Sequence, residues 1–113
     1  MGRGKQRIPL SVEALEMVAA RFRAIGEPAR LQLLQYLMDG EASVQQLCEG
    51  TGLGQANVSK HLALLVEQGI LSRRREGSFA MYQIIDPSIV EMCDLVCGAL
   101  TKRFSQAKNT LSR

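Results

Sequence analysis

The chain has 113 residues, enough for one domain with a single modest core. Its hydrophobic content of 46% is that of a globular protein, and no apolar run approaches the ~18 residues of a membrane span. A formal net charge of +3 permits nucleic-acid binding without demanding it, so the placement of the charges matters more than their sum.

Residues 1–10, MGRGKQRIPL, read as a flexible basic arm without the hydrophobic stretch of a secretion signal. The expected location is therefore the cytoplasm, with no membrane partner. Three cysteines cannot all pair within one chain, and in a reducing compartment they are free thiols, metal ligands or a redox pair.

From residue 11 the pattern is helical. Ser11 is a candidate N-cap, with Glu13 and Glu16 near the positive end of a helix. Val12, Leu15, Val18, Ala19, Phe22 and Ile25 hold helical spacing up to Gly26, a face broad enough to bury against a second subunit. Glu27-Pro28-Ala29 opens the next helix, with proline in the first turn where its missing N–H is harmless. Leu31, Leu33, Leu34, Tyr36, Leu37 and Met38 make that helix nearly apolar all round, so a central position is expected.

The stretch Ser43 to Leu65 reads as two short helices joined by a glycine-punctuated turn. Ser43 caps the first, with Gln46 forming only a partial capping box. Val44, Leu47 and Cys48 form its apolar stripe, and Gly50, Gly52 and Gly54 crowd the turn after it. Val58, Leu62, Leu65 and Val66 mark the inner face of the second helix, while Gln55, Asn57, Ser59, Lys60 and His61 lie on or beside the other. This is the layout of a helix-turn-helix, whose second helix offers hydrogen-bonding side chains from its N-terminal half. Gln and Asn suit adenine edges, and Lys, Ser and His suit guanine edges or phosphates.

After Gly69 the period changes to that of a β-hairpin, with Arg73, Arg74 and Arg75 on the first strand and a Glu76-Gly77-Ser78 tip. Directly after a helix-turn-helix, these arginines and Ser78 suit phosphate or minor-groove contact better than they suit a merely solvated charge run. Asp86-Pro87 opens a last helix with Asp86 or Ser88 as cap, and Ile89, Met92, Cys93, Val96, Cys97, Leu100 and Phe104 form one stripe along it. Little core remains for that stripe to cover. A dimer surface is expected from Leu15, Val18, Phe22, Ile89, Met92, Val96 and Leu100. Residues 11–104 thus make one domain, mainly α with a small hairpin, and residues 105–113 a polar tail expected to fray.

The order helix, helix, helix-turn-helix, hairpin, helix is a winged helix with flanking dimerisation helices. Over roughly Ala19 to Leu100 the chain resembles the ArsR/SmtB repressors. The resemblance is carried by Phe22 to Arg30, Leu31 to Leu37, Val58-Ser59-Lys60-His61-Leu62-Ala63-Leu64-Leu65, Gly69-Ile70-Leu71, the wing from Arg73 to Gly77, and Tyr82. It implies a homodimer that binds a palindromic operator in double-stranded DNA and represses. Each recognition helix would enter the major groove, with the wing over the adjacent backbone and an inducer lowering DNA affinity.

The sensor sites of the family are where this chain departs from it. Ser43-Val44-Gln45 stands where the arsenic-type site has its CxC, and Asp86, Ser88, Ala99 and Lys102 stand where the zinc-type site has four ligands. The remaining candidates are Cys48, Cys93 and Cys97. Cys93 and Cys97 are i, i+4 and about 6 Å apart at Cβ, within reach of one soft ion but a poor fit for a disulfide. Three readings stand side by side. The thiols are inert core groups, or Cys48 pairs with a cysteine of the last helix as in the sulfide- and redox-sensing branch of the family. In the third, the thiolates bind a thiophilic metal(loid) such as As(III), Cd(II), Pb(II) or Hg(II).

No enzyme is expected. A single histidine without a nucleophile–base pair leaves no catalytic residues to name, and Cys93-x3-Cys97 lacks both CxxC spacing and a βαβ unit. A winged helix used only for protein contact is the other alternative. It would shed the polar recognition residues and wing arginines that this chain keeps.

Overall fold

The computed structural model describes residues 9–111. The elements are α1 (Val12–Ile25), α2 (Pro28–Leu37), β1 (Ala42–Ser43), α3 (Val44–Thr51), α4 (Gln55–Glu67), β2 (Leu71–Glu76), β3 (Phe79–Ile84) and α5 (Pro87–Leu111). Most of the expected basic arm, residues 1–8, lies outside the described residues.

Local chemistry fixes the helix starts. The Ser11 hydroxyl accepts from the N–H of Ala14 at 3.1 Å and opens α1. Glu27 caps α2, its carboxylate accepting from Ala29 and Arg30 at 2.9 and 3.2 Å, with Pro28 in the first turn. The capping box of α3, expected to be partial, is complete. Ser43 Oγ accepts from the Gln46 N–H at 3.2 Å, and Gln46 Oε1 accepts from the Ser43 N–H at 2.9 Å. Gly52 then ends α3 in the left-handed region at φ 79°, which a side chain would resist.

Strands β2 and β3 form the expected hairpin, with Glu76 opposite Phe79 and Gly77 at φ 62° turning the chain in two residues. β1 was not expected. It adds antiparallel to β3, Ala42 opposite Tyr82, giving a three-stranded sheet in the order β1-β3-β2 that ties the start of α3 to the wing.

Leu33, Leu34 and Leu37 of α2 join Leu47 of α3, Val58, Leu62 and Leu65 of α4, and Ile70 and Leu71 in one core. α2 is central on that side only. Leu31 and Tyr36 are exposed, correcting the expectation of burial all round. Ile89 is 2% exposed and belongs to this core, so it is not part of a free dimer face. α5 runs on to Leu111, past the boundary at residue 104 expected from the end of its apolar stripe.

The chain does not close on itself. Its radius of gyration is 17.2 Å, against about 13 Å for a compact domain of this length. Along α5, Leu95, Val96, Leu100 and Phe104 are well exposed, Phe104 at 71%. Val12, Leu15, Met17, Val18 and Phe22 of α1 are exposed as well.

Candidate nucleic-acid interface and thiol positions

Helix α4 turns Val58, His61, Leu62 and Leu65 inward at i, i+3, i+4, i+7 spacing. Its outer side carries Gln55, Ala56, Asn57, Ser59, Lys60 and Ala63, all exposed. Four of the five expected base or phosphate readers on this helix are therefore accessible.

His61 is not. It is 7% exposed and faces away from any DNA the outer side would meet. Its Nδ1 lies 3.1 Å from Arg30 Nη1, and its Nε2 lies 3.9 Å from Glu27 Oε1. The apolar spacing that includes position 61 is the signal that places it inside, and the side chain's usual DNA chemistry masked that signal. Ala56 and Ala63 were not among the expected readers because a methyl offers no hydrogen bond. Both sit on the accessible side, where a small residue lets a helix approach a groove closely and a methyl can meet a thymine methyl.

On the wing, successive β2 residues face opposite ways. Arg73 and Arg75 share one face and are exposed, with Arg73 Nε donating to the Tyr82 hydroxyl at 3.2 Å. Among the described residues no carboxylate forms an ion pair with Arg75. Arg74 lies on the other face and is engaged by acids. It bonds Glu41 through Nε at 3.3 Å and through Nη2, and Nη2 lies 2.7 Å from Glu76 Oε1. The Arg74 hydrogen bond holds the Glu41 carboxyl below its ordinary range, and Glu41 and Glu76 together raise the guanidinium. Ser78 is exposed at the wing tip.

All three cysteines are free thiols. Cys48 is half-buried in a cleft of about 470 Å³ that it lines with Val44, Gln45, Gln55, Ser78 and Phe79, between the start of α4 and the wing. Cys93 is buried in the core, and burial pushes its thiol pKa up, with Cys97 and Asp94 adding to the effect. Cys97, one turn on, is exposed. The expected shared face of Cys93 and Cys97 is thus split between core and surface. Among the described residues no three His, Cys, Asp or Glu side chains are grouped so as to hold a metal ion.

α1 and α5 flank a shallow groove of about 640 Å³ lined by Met17, Val18, Phe22, Ser88 and Met92. Arg21 of α1 bonds Asp86 at 2.7 Å and fixes the start of α5 against it. Asp86 also caps α5, accepting from the N–H and hydroxyl of Ser88 at 3.0 and 2.7 Å. Ser88 foremost, and Arg21 after it, hold the Asp86 carboxyl below its ordinary range. No helix among the described residues is long and apolar enough to cross a membrane.

Residues 27–73, from the cap of α2 into β2, match the model of the bacterial regulatory protein family named arsR. The chain is 38% identical over 77 residues to the "Probable mercury resistance operon repressor" of Streptomyces lividans, a match covering 68% of this chain and 62% of that one. It is 31% identical over 93 residues to the HTH-type transcriptional regulator NmtR of Mycobacterium tuberculosis, covering 82% of this chain and 78% of that one. The chain belongs to the ArsR family. Among solved structures, the homodimeric winged helix-turn-helix DNA-binding domain Mb0332 from Mycobacterium bovis superposes with a TM-score of 0.75 at 28% identity. That likeness covers 83% of this chain and 87% of the other. The ArsR assignment makes α3 and α4 the helix-turn-helix, α4 the recognition helix and the β2–β3 hairpin the wing. These relatives carry the names of regulators and DNA-binding domains, in keeping with a non-enzymatic role.

Proposed function

We propose that this ArsR-family protein is a homodimeric repressor that binds a palindromic operator and is released by a thiol-directed inducer. The observation that carries the DNA reading is one accessible side of α4 with Gln55, Ala56, Asn57, Ser59 and Lys60, beside a wing that presents Arg73 and Arg75. Amide and hydroxyl groups read base edges, and the arginines hold phosphates. The dimer reading rests on the exposed apolar faces of α1 and α5, where Leu15, Val18, Phe22, Val96 and Leu100 remain to be covered, while Met92 is already half-buried against the core.

Cys48 is the thiol best placed to transmit a signal. It touches the cleft between Gln55 and the wing, so an adduct there displaces groups that meet DNA. Cys93 is held protonated in the core and is a poor nucleophile. Cys48 lines an open cleft whereas Cys93 is buried, so a reactive sulfur species or oxidant acting on Cys48 is the favoured inducer. The relative named for mercury resistance keeps a thiophilic metal(loid) as an arm of the test.

The test begins with selection of bound duplexes from a random pool, expected to enrich an inverted repeat. Intact mass and DNA release are then measured after polysulfide, diamide, As(III) and Hg(II) separately, on wild type and Cys48→Ser. Added sulfur on Cys48, or loss of two hydrogens as Cys48 and a second cysteine thiol join in a disulfide, with release that vanishes in the variant, supports the thiol switch. Retained metal(loid) with release assigns the metal reading, and no release by any agent returns the three thiols to a structural role.

A further inference from the structure

The buried histidine of the recognition helix has no role in the DNA contact, and burying a polar ring costs free energy unless it is paired. Its pairing is specific. Arg30 sits in the first turn of α2, and its guanidinium spans three helices. Nε donates to the Ala24 carbonyl, Nη2 donates to the Arg23 carbonyl at 3.2 Å, and Nη1 meets His61 Nδ1 at 3.1 Å.

The last four carbonyls of a helix lack intrahelical partners. In α1 those belong to Phe22, Arg23, Ala24 and Ile25. The Gly26 N–H takes the Phe22 carbonyl and the Glu27 N–H takes that of Ile25. Arg30 takes the other two, so it closes the C-terminus of α1. Because an arginine only donates, the contact makes His61 Nδ1 the acceptor and leaves the ring N–H on Nε2. That N–H end lies on the side of Glu27 Oε1, the carboxylate that caps α2.

We propose that Arg30 and His61 are positioning residues that lock the recognition helix to the end of the dimerisation helix α1, and so set operator discrimination. This rests on the dimeric repressor reading above. α1 carries the face that meets a second copy, and α4 carries the base readers. Two recognition helices must be held about one helical turn of DNA, roughly 34 Å, apart to meet both half-sites. A single acceptor on α4, gripped by a guanidinium anchored on α1, transmits that geometry. An apolar side chain at position 61 would fill the space while Arg30 kept its two α1 carbonyls, at the cost of one unpaired guanidinium N–H, and would leave α4 free to tilt. Attraction to phosphates would survive such a tilt, whereas registration on bases would not.

The test uses the full chain, the duplex enriched by the wild type and a random-sequence duplex of equal length. His61→Leu removes the acceptor but keeps an apolar filling. His61→Gln returns a neutral side-chain acceptor. For His61→Leu the expected result is a folded dimer of unchanged mass with a modestly lowered unfolding midpoint, unchanged affinity and salt slope on random DNA, and a preference for the selected duplex reduced about tenfold or more, the scale of a lost charge-assisted hydrogen bond. His61→Gln should recover most of that preference. Arg30→Met should lose it too, and combining it with His61→Leu should cost little more than either alone. A preference in His61→Leu that stays within about twofold of wild type overturns the proposal, as does a His61→Gln variant that fares no better than leucine. If the wild type enriches no sequence, it is the repressor reading that falls, and the positioning role with it.

Discussion

Glu41 and Glu76 pair with the Arg74 guanidinium, so the wing carries less free positive charge than three consecutive arginines suggest. Glu41→Gln combined with Glu76→Gln should free the guanidinium, raising affinity for random duplex DNA at low salt and steepening the salt dependence by up to about one phosphate equivalent. Arg75→Ala should weaken binding to all sequences alike and flatten that slope, and an unchanged slope would remove Arg75 from the contact. The cysteines divide in the same way by environment. Cys97 should react with iodoacetamide at neutral pH well before Cys93, whose buried, upward-shifted thiol should label only as pH rises into the alkaline range; the order is read by intact mass and peptide mapping. At this scale the sequence conveyed residue types better than their orientation. Asn57 and Lys60 were legible as exposed polar groups, whereas His61 continues the inward spacing of Val58, Leu62 and Leu65 but carries a ring whose chemistry also suits the surface.

Helix ends were the most legible elements, because their chemistry is local. Ser11, Pro28, Ser43 and Asp86 each act within three residues of where they stand. Ser43→Ala should cost about 1 kcal/mol of stability, the usual worth of an N-cap hydroxyl, measured by urea unfolding. Asp86→Ala should cost a similar ~1 kcal/mol at neutral pH. Because the folded carboxyl titrates below its ordinary value of 3.8, its contribution is complete above that value and fades as pH falls through the lower folded one. Wild type and Asp86→Ala should therefore converge in stability in strong acid. A two-residue strand such as β1 leaves no period to read, and its pairing with β3 joins residues forty positions apart. The extension of α5 was missed for a different reason. Residues 105–111 lack an apolar stripe, yet contain nothing that stops a helix already under way.

For the whole molecule, the winged helix was legible from the order of elements, and its quaternary need from apolar faces that the described residues leave uncovered. Ile89 shows the limit of that inference, since periodicity marks a face as apolar without saying where one neighbour ends and the next begins. Leu100→Glu places a charge on the exposed part of α5, away from the core. It should leave the monomer folded but shift the protein to a monomeric mass by light scattering and abolish binding to an inverted repeat. For the wild type, the unfolding midpoint should rise with protein concentration, as mass action requires when association is coupled to folding. The open, partner-seeking shape of the single chain also bears on dosage. While subunits are scarce, dimers grow with the square of subunit number, so doubling synthesis yields about four times as much operator-competent protein. A cell using such a regulator would obtain a sharpened threshold between unoccupied and occupied promoters from the exposed flanks of α1 and α5 alone.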